Sequence, residues 1–384
     1  MPGLPARSWV SGVEASRHAP GTVYVAFDNH ASDDYGNYLY RSTDFGTTWA
    51  SIVGDLPADR VVKAVHEDPK NPNLIYIGTE FGFFLSIDGG AQWTRLGGGL
   101  PTVPVNDFLI HPRDNDLVLA THGRGIWILD DIAALQGLTP EVLSSPAHLF
   151  RVRPARAIRH TNLKAHQGDM VFRGENPPAG AIIDYYLREG GTAPALTVHD
   201  TGGVLVRALG ATSERGVNRV VWDLRHVPFT TGMQGQSGQR GRALDGPFVV
   251  PGEYVVRLAA AGTTLEQRVR VDDDPRLSAA PPVRQSWMAT LMRLGALYQS
   301  ADGLLERMRQ AAGAVIKSDT ATDARKAEAE AALEAAMELR NRIAGLYGEI
   351  SDHIGPATAD QQSQMEYYPK VLAELESALS ALKN

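Results

Sequence analysis

The sequence predicts a mainly β chain with an α tail: a partial β-propeller of about three blades, then a β-sandwich, then an antiparallel helical hairpin or three-helix end. Three observations carry this. A short motif recurs at blade spacing near the amino terminus, well-separated strand-like runs with turn signals follow, and the last hundred or so residues turn rich in Ala, Leu and Glu. The expected boundaries are 1–146, 147–275 and 276–384.

The repeat comes first. Ser42–Trp49 and Ser86–Trp93 both read Ser-x-Asp-x-Gly-x-x-Trp, and Asp44 and Asp88 are 44 residues apart. Periods of about 40–50 residues with short strands mark propeller blades. In such a turn the Asp bonds nearby backbone N–H groups, the Gly takes positive φ, and the Trp opens the next strand and packs on the neighbouring blade. Three further stretches align, at His18–Asp28, His66–Glu80 and His111–His122, each a His, a Pro-bearing turn and a β-rich run. They give blades at roughly 8–57, 58–101 and 102–145. In the last blade Gly123–Asp130 supplies the third strand, and His148–Val152 is the expected outer strand. His18, His66 and His111 are taken as one recurring blade position and hence as scaffold. Closed rings take about four to eight blades, so the missing ones are expected in a longer protein or in another chain, as a homo-oligomer.

Strands are expected next at Ala181–Leu187, Ala195–Asp200, Val204–Ala208, Arg219–Asp223, Gly252–Ala259 and Leu265–Val271, with Trp222 and Tyr254 in the core. Thr230–Gly246, rich in Gly, Gln and Arg, reads as a loop too polar to pack. Beyond Asp272–Pro275, apolar residues at helical spacing (Trp287, Leu291, Leu294, Tyr298, Leu305; Leu333, Met337, Ile343, Leu346; Tyr368, Leu372, Leu375, Leu379) predict amphipathic helices that pack on one another or form a coiled-coil dimer.

Composition removes several classes of function. Among 384 residues, Lys+Arg 37 against Asp+Glu 44 leaves a net charge of −7, which argues against gripping nucleic acid or an anionic membrane. With Cys 0 there are no disulfides, thiolate nucleophiles or Cys-ligated metals. No apolar run reaches bilayer length, and the first residues lack the charged start and apolar stretch of a signal peptide.

The twin boxes resemble the Asp-box of the BNR-repeat propellers, a class that includes sialidases and sortilin ectodomains. Gly216–Leu224 and Val250–Leu258 resemble an Ig-like domain of secreted bacterial proteins. With Thr121–Asp131, they make nearly the whole chain similar to the carboxy-terminal portion of bacterial sortilin-like, BNR-repeat proteins labelled glycosyl hydrolase. That resemblance implies an extracytoplasmic home, periplasmic or secreted, and a glycan or peptide ligand; it supplies no catalytic mechanism.

Candidate chemistry lies where equivalent positions differ. The second strands end on Asp28, Glu80 and His122, and the loop after Asp28 is dense in Asp33, Asp34, Tyr35 and Asn37 with His30. Asp28, His30, Asp33, Asp34 and His122 are the residue types that hold a divalent cation, calcium through carboxylates or zinc through His and Asp. A zinc-type site with an open position would activate water, with His30, His122, Asp33 and Glu80 as the catalytic set. Arg124, Tyr35 and Asn37 are the candidate ligand-binding residues. Two functions follow: a glycan- or peptide-binding and assembly module, or a metal-assisted hydrolase of an ester, phosphoester or glycoside on the same propeller face.

Overall fold

The computed structural model describes residues 1–158, 174–230, 244–277 and 279–383. The chain divides into two compact units. One comprises 1–151, 183–193 and 212–219, and the other 152–182, 194–211 and 220–384.

The first unit contains the propeller piece. Blade 1 is a sheet of β1 (Val10–Ala15), β2 (Val23–Phe27), β3 (Tyr38–Ser42) and β4 (Ala50–Ser51), paired in chain order. Blade 2 repeats it with β5 (Val62–Glu67), β6 (Ile75–Thr79), β7 (Gly82–Ser86) and β8 (Thr94–Arg95). Blade 3 has three strands, β9 (Val105–Ile110), β10 (Leu117–Thr121) and β11 (Ile126–Leu129). Two helical turns follow, α1 (Ala133–Gln136) and α2 (Pro140–Ser144).

Period-2 alternation decides what lies between blades. Tyr24, Ala26 and Leu39 of blade 1 meet Val65, Ile75, Ile77, Phe84 and Trp93 of blade 2. On its other face blade 2 offers Tyr76, Phe83 and Leu85 to Val105, Phe108, Leu117 and Leu119 of blade 3. The sheets approach closely at Gly78, where a Cβ would meet the Val105 carbonyl oxygen at 2.3 Å.

Both Ser-x-Asp-x-Gly-x-x-Trp turns fold as their sequences predict. Ser42 Oγ bonds Asp44 Oδ1 at 2.8 Å and accepts from Gly46 N, while Asp44 Oδ1 accepts from Thr48 N. In the second box Ser86 Oγ bonds Asp88 Oδ1 at 2.7 Å and accepts from Gly90 N, while Asp88 Oδ1 accepts from Ala91 N and Gln92 N.

Two expectations are corrected. The segment expected to finish blade 3 does not pair with it: β12 (Ala147–Leu149) pairs with β14 (Ala181–Leu187), Leu149 opposite Tyr185, in a separate sheet. The three histidines are not one blade position. Strand register puts His66 opposite Tyr76, whereas Glu14 stands opposite Tyr24 and Leu109 opposite Val118. His111, Asp68 and Ser16 are the matched residues, each donating its backbone N–H across its turn. The alignment matched residue type and not strand register: the turns Ser16–Thr22 and Asp68–Leu74 are equally long, yet His18 follows the first residue of its turn and His66 precedes that of its own. The histidines hold local structure all the same: His18 Nε2 lies 2.8 Å from the Asp68 carbonyl oxygen, and Asp114 N donates to His111 Nδ1.

The sandwich strands appear close to their expected bounds. After β12 come β13 (Ala155–Arg156), β14, β15 (Ala195–Asp200), β16 (Leu205–Leu209), β17 (Gly216–Trp222), β18 (Gly252–Ala260) and β19 (Thr263–Asp272). They form a three-stranded sheet, β12-β14-β17, and a five-stranded one, β13-β19-β18-β15-β16. In the first unit the buried Asp184 of β14 accepts from Arg219 Nε of β17 at 2.8 Å, and the same guanidinium donates to the carbonyl oxygens of Asp130 and Asp131 just past β11. In the second unit Trp222 and Tyr254 are buried edge to face, ring centres 5.4 Å apart, as core residues should be. Of the Gly-rich loop, 231–243 lie outside the described residues.

The tail is three helices: α3 (Pro281–Ile316), α4 (Asp323–Asp352) and α5 (Ala359–Lys383). Pro281 sits in the first turn of α3, and Thr322 caps α4 by accepting from Arg325 N. Leu291, Leu294, Tyr298, Leu305, Leu339, Ile343, Leu346, Tyr368 and Leu379 share one core, and the Trp287 indole donates to the Ile350 carbonyl at 2.7 Å. Met337, expected on the buried face, is exposed, because Ala336, Leu339 and Ile343 set that face about 100° away. Among the described residues no helix is long and apolar enough to cross a membrane.

Candidate functional site

One end of the propeller piece is built the same way three times. The residue after each second strand donates its backbone N–H to the residue before each inner strand: Asp28 to Trp9 at 2.9 Å, Glu80 to Val61 at 3.0 Å and His122 to Pro104 at 2.9 Å. Asp28, Glu80 and His122 are therefore equivalent positions at one end of the blades. Beside each, the inner strand carries a β-bulge, which inserts Ser11, Lys63 or Asn106. A bulge re-aims one side chain without disturbing the ladder beyond it.

In blade 2 that side chain organises the site. Lys63 Nζ lies 2.7 Å from Asp28 Oδ2 of blade 1 and 2.9 Å from Glu80 Oε2 of its own blade. His30 Nδ1 lies 2.6 Å from Asp28 Oδ1 and 3.4 Å from the same ammonium. Burial pushes the Asp28 pKa upward, but hydrogen bonds from Lys63 and His30 outweigh it and hold the carboxyl below its ordinary range. Burial pulls Lys63 the other way, and its two carboxylates keep it above the usual lysine value. Asp28 and Lys63 thus hold each other in their ionised forms. Sequence reading missed Lys63 because the bulge that aims it is a register irregularity with no residue signature.

The other predicted residues divide by role. Asp34 accepts from Gly36 N, Asn29 Nδ2 and the Tyr38 hydroxyl, which hold its pKa low, the Gly36 bond most of all. Asn37 accepts from Arg60 N and donates to the Pro57 carbonyl. Both fasten their loop. Asp33 ends a short 3-10 turn (His30–Ser32) in left-handed conformation at φ 60°. His122, Arg124 and Tyr35 are exposed. The five expected metal ligands do not converge: among the described residues no three His, Asp or Glu side chains gather as a metal site requires. The positive charge between Asp28 and Glu80 is supplied by the Lys63 ammonium.

Exposed aromatic side chains flank the cluster. Trp9 is 68% exposed and its N–H donates to Asn29 Oδ1, Tyr35 stands out from the loop, and Phe81 follows Glu80 with the Arg60 guanidinium 5.4 Å from its ring centre. Trp9 and Phe81 went unremarked in the sequence, since only the structure brings them to the end that carries Asp28 and Glu80. The arrangement offers apolar ring faces beside fixed donors and acceptors.

No family model matches the chain. It is 31% identical over 146 residues to a xyloglucanase of Paenibacillus sp., covering 35% of this chain and 13% of that enzyme. It is 29% identical over 87 residues to xyloglucanase Xgh74A of Acetivibrio thermocellus, covering 20% and 10%. The chain thus spans only about an eighth to a tenth of these relatives' length. Similar solved structures include an ancestral GH74 enzyme (15% identity, TM-score 0.23, 54% of this chain and 27% of that one) and the GH74 xyloglucanase of Xanthomonas campestris (12%, 0.26, 67% and 38%).

Proposed function

We propose that the blade end around Asp28, Lys63 and Glu80 is a glycan-binding face, and that the chain acts as a binding module for a xyloglucan-type polysaccharide. The observation that carries this is the pairing of exposed Trp9, Tyr35 and Phe81 with a rigid polar row. A sugar ring presents an apolar C–H face that stacks on an aromatic plane, and hydroxyls that need donors and acceptors already in place. The similarity to xyloglucanases supports the choice of ligand, and a polysaccharide ligand accords with a home outside the cytoplasm.

Binding is favoured over hydrolysis because the exposed rings supply a stacking surface, whereas Asp28 is unsuited to the proton-donor role. A carboxyl held ionised by Lys63 and His30 is a poor proton donor at neutral pH, and glycosidic cleavage needs one carboxyl kept protonated. The test is affinity electrophoresis or calorimetry of the full chain with xyloglucan, alongside a reducing-sugar assay. Retention without new reducing ends, weakened about 10-fold or more by Trp9→Ala together with Tyr35→Ala, is the expected result. Release of reducing ends would replace the binding reading with a hydrolytic one. No retention by any neutral glucan would end both.

A further inference from the structure

The second unit contains a groove of its own. A cavity of about 640 Å³ runs along the carboxy-terminal half of α4, beside Arg225 and Asp245. A second, of about 500 Å³, is lined by Arg156, Gly180 and Phe248, and the two share Arg225, Ser351 and Asp352. Each has the size of a small-ligand site. The walls are held in place. The Arg225 guanidinium lies 3.8 Å from the Phe248 ring centre, and its Nη1 donates to the Gly246 carbonyl at 3.0 Å. The Tyr347 hydroxyl of α4 donates to the Asp245 carbonyl at 2.7 Å, which ties one wall to the other. Arg340 is set by Asp302, which accepts from its Nε at 2.8 Å. On α4 itself Gly345 and Gly348 line the groove, in a helix interior where glycine is unfavourable. Gly295 of α3 has a packing reason, since a Cβ there would meet the Phe229 ring at 2.2 Å. A Cβ at Gly345 or Gly348 would meet nothing within 4 Å, so the space in front of them is the cavity.

We propose that this groove binds a short neutral oligosaccharide, as a second glycan site built wholly within the second unit. The lining selects the class. Among the described residues it carries three arginines, Arg156, Arg225 and Arg340, interspersed with four carboxylates, those of Asp223, Asp245, Glu349 and Asp352. The two signs nearly cancel, so an ion of either charge meets repulsion as well as attraction. An apolar ligand would strip water from these groups without bonding any of them. A peptide's side chains need apolar pockets, and the apolar lining residues Leu244, Tyr298 and Tyr347 are already buried in the helical core. A sugar hydroxyl both donates and accepts, so a single group can bridge a carboxylate and a guanidinium. The C–H face of the ring has a place as well. Ala344, Gly345 and Gly348 leave a bare strip about 6 Å long on α4.

The test is saturation-transfer NMR, observing the ligand, on the full chain with cellotriose, xylotriose and maltotriose in turn. At least one is expected to give a saturable signal that persists when Trp9→Ala and Tyr35→Ala remove the propeller rings. The same signal should vanish in Gly345→Leu with Gly348→Leu, whose side chains fill the groove. Both leucines replace glycine within a helix and their Cβ atoms meet no neighbour, so circular dichroism should be unchanged and the urea midpoint unchanged or raised. A second variant fills nothing: Asn341→Ala with Glu349→Ala, both exposed, should weaken binding about 10-fold. No saturable signal from any of the three sugars, a signal that survives the leucines, or one lost with Trp9 and Tyr35 would each overturn the proposal. Tighter binding of trigalacturonate or triglycine would overturn it too, in favour of an anion or a peptide. Failure of the propeller face to bind xyloglucan leaves these outcomes unchanged.

Discussion

The two Ser-x-Asp-x-Gly-x-x-Trp boxes have the same local wiring and different neighbours. In both, Ser and Asp bond each other and collect backbone N–H groups from the turn. Their tryptophans part company. Trp93 is 7% exposed, its indole donates to the Ile52 carbonyl of the preceding blade at 3.1 Å, and its N–H donates to Asp55 Oδ1. Trp49 is half-buried and its indole donates to Gly46 of its own turn at 3.0 Å. At Trp49 the motif forms a turn, and at Trp93 it also clamps its blade to the one before it.

The largest expected contrast is at these rings. Trp93→Ala should cost about 3–5 kcal/mol, the range for emptying a buried aromatic site, and Trp49→Ala only about 1–2 kcal/mol, in urea unfolding. Equal losses would show that the first box has a packed neighbour in solution. The box glycines come next. Both have positive φ, +85° at Gly46 and +97° at Gly90, but a Cβ on Gly90 would meet Ile52 Cβ at 2.8 Å, whereas on Gly46 the nearest atom is Trp49 Cζ2 at 3.6 Å. Left-handed strain of about 1–2 kcal/mol applies to both, and Gly90→Ala adds an overpacking cost of about 1–3 kcal/mol. Matching midpoints for the two variants would refute the clamp.

The smallest effect is one of pH. Hydrogen bonds from Thr48, with Ser42 and Thr47 assisting, lower the Asp44 pKa to about 2 from 3.8. A depressed folded-state pKa stabilises the fold above the unfolded value, and that contribution fades as pH falls from near 4 towards 2. Asp44→Asn should lower stability at neutral pH and flatten the acid limb in that window, the two proteins converging as pH falls towards 2. An unaltered acid limb would mean that the Asp44 bonds are not maintained in solution.

The box turns were legible because each residue's task is local: a hydroxyl, a carboxylate and a glycine within five positions suffice to define the bend. Blade spacing, sandwich strands and helix faces were legible through periodicity. The histidine alignment failed because it matched residue type and not register, and only strand pairing reveals that Glu14 and Leu109 stand where His66 does. Of the candidate site, Asp28, Glu80 and His122 were found by comparing repeats. Lys63 was not, since a bulge leaves no pattern in sequence, and neither was Trp9, whose place depends on a backbone bond to Asp28.

The recurring bulge has a bearing on how such blades diversify. Because the inserted residue lies outside the pairing rhythm, Ser11, Lys63 and Asn106 occupy one architectural slot with a hydroxyl, an ammonium and an amide. Sheet pairing places almost no demand on what fills it. Each repeat therefore carries a position where chemistry can be rewritten blade by blade while the hydrogen-bond ladder around it stays the same.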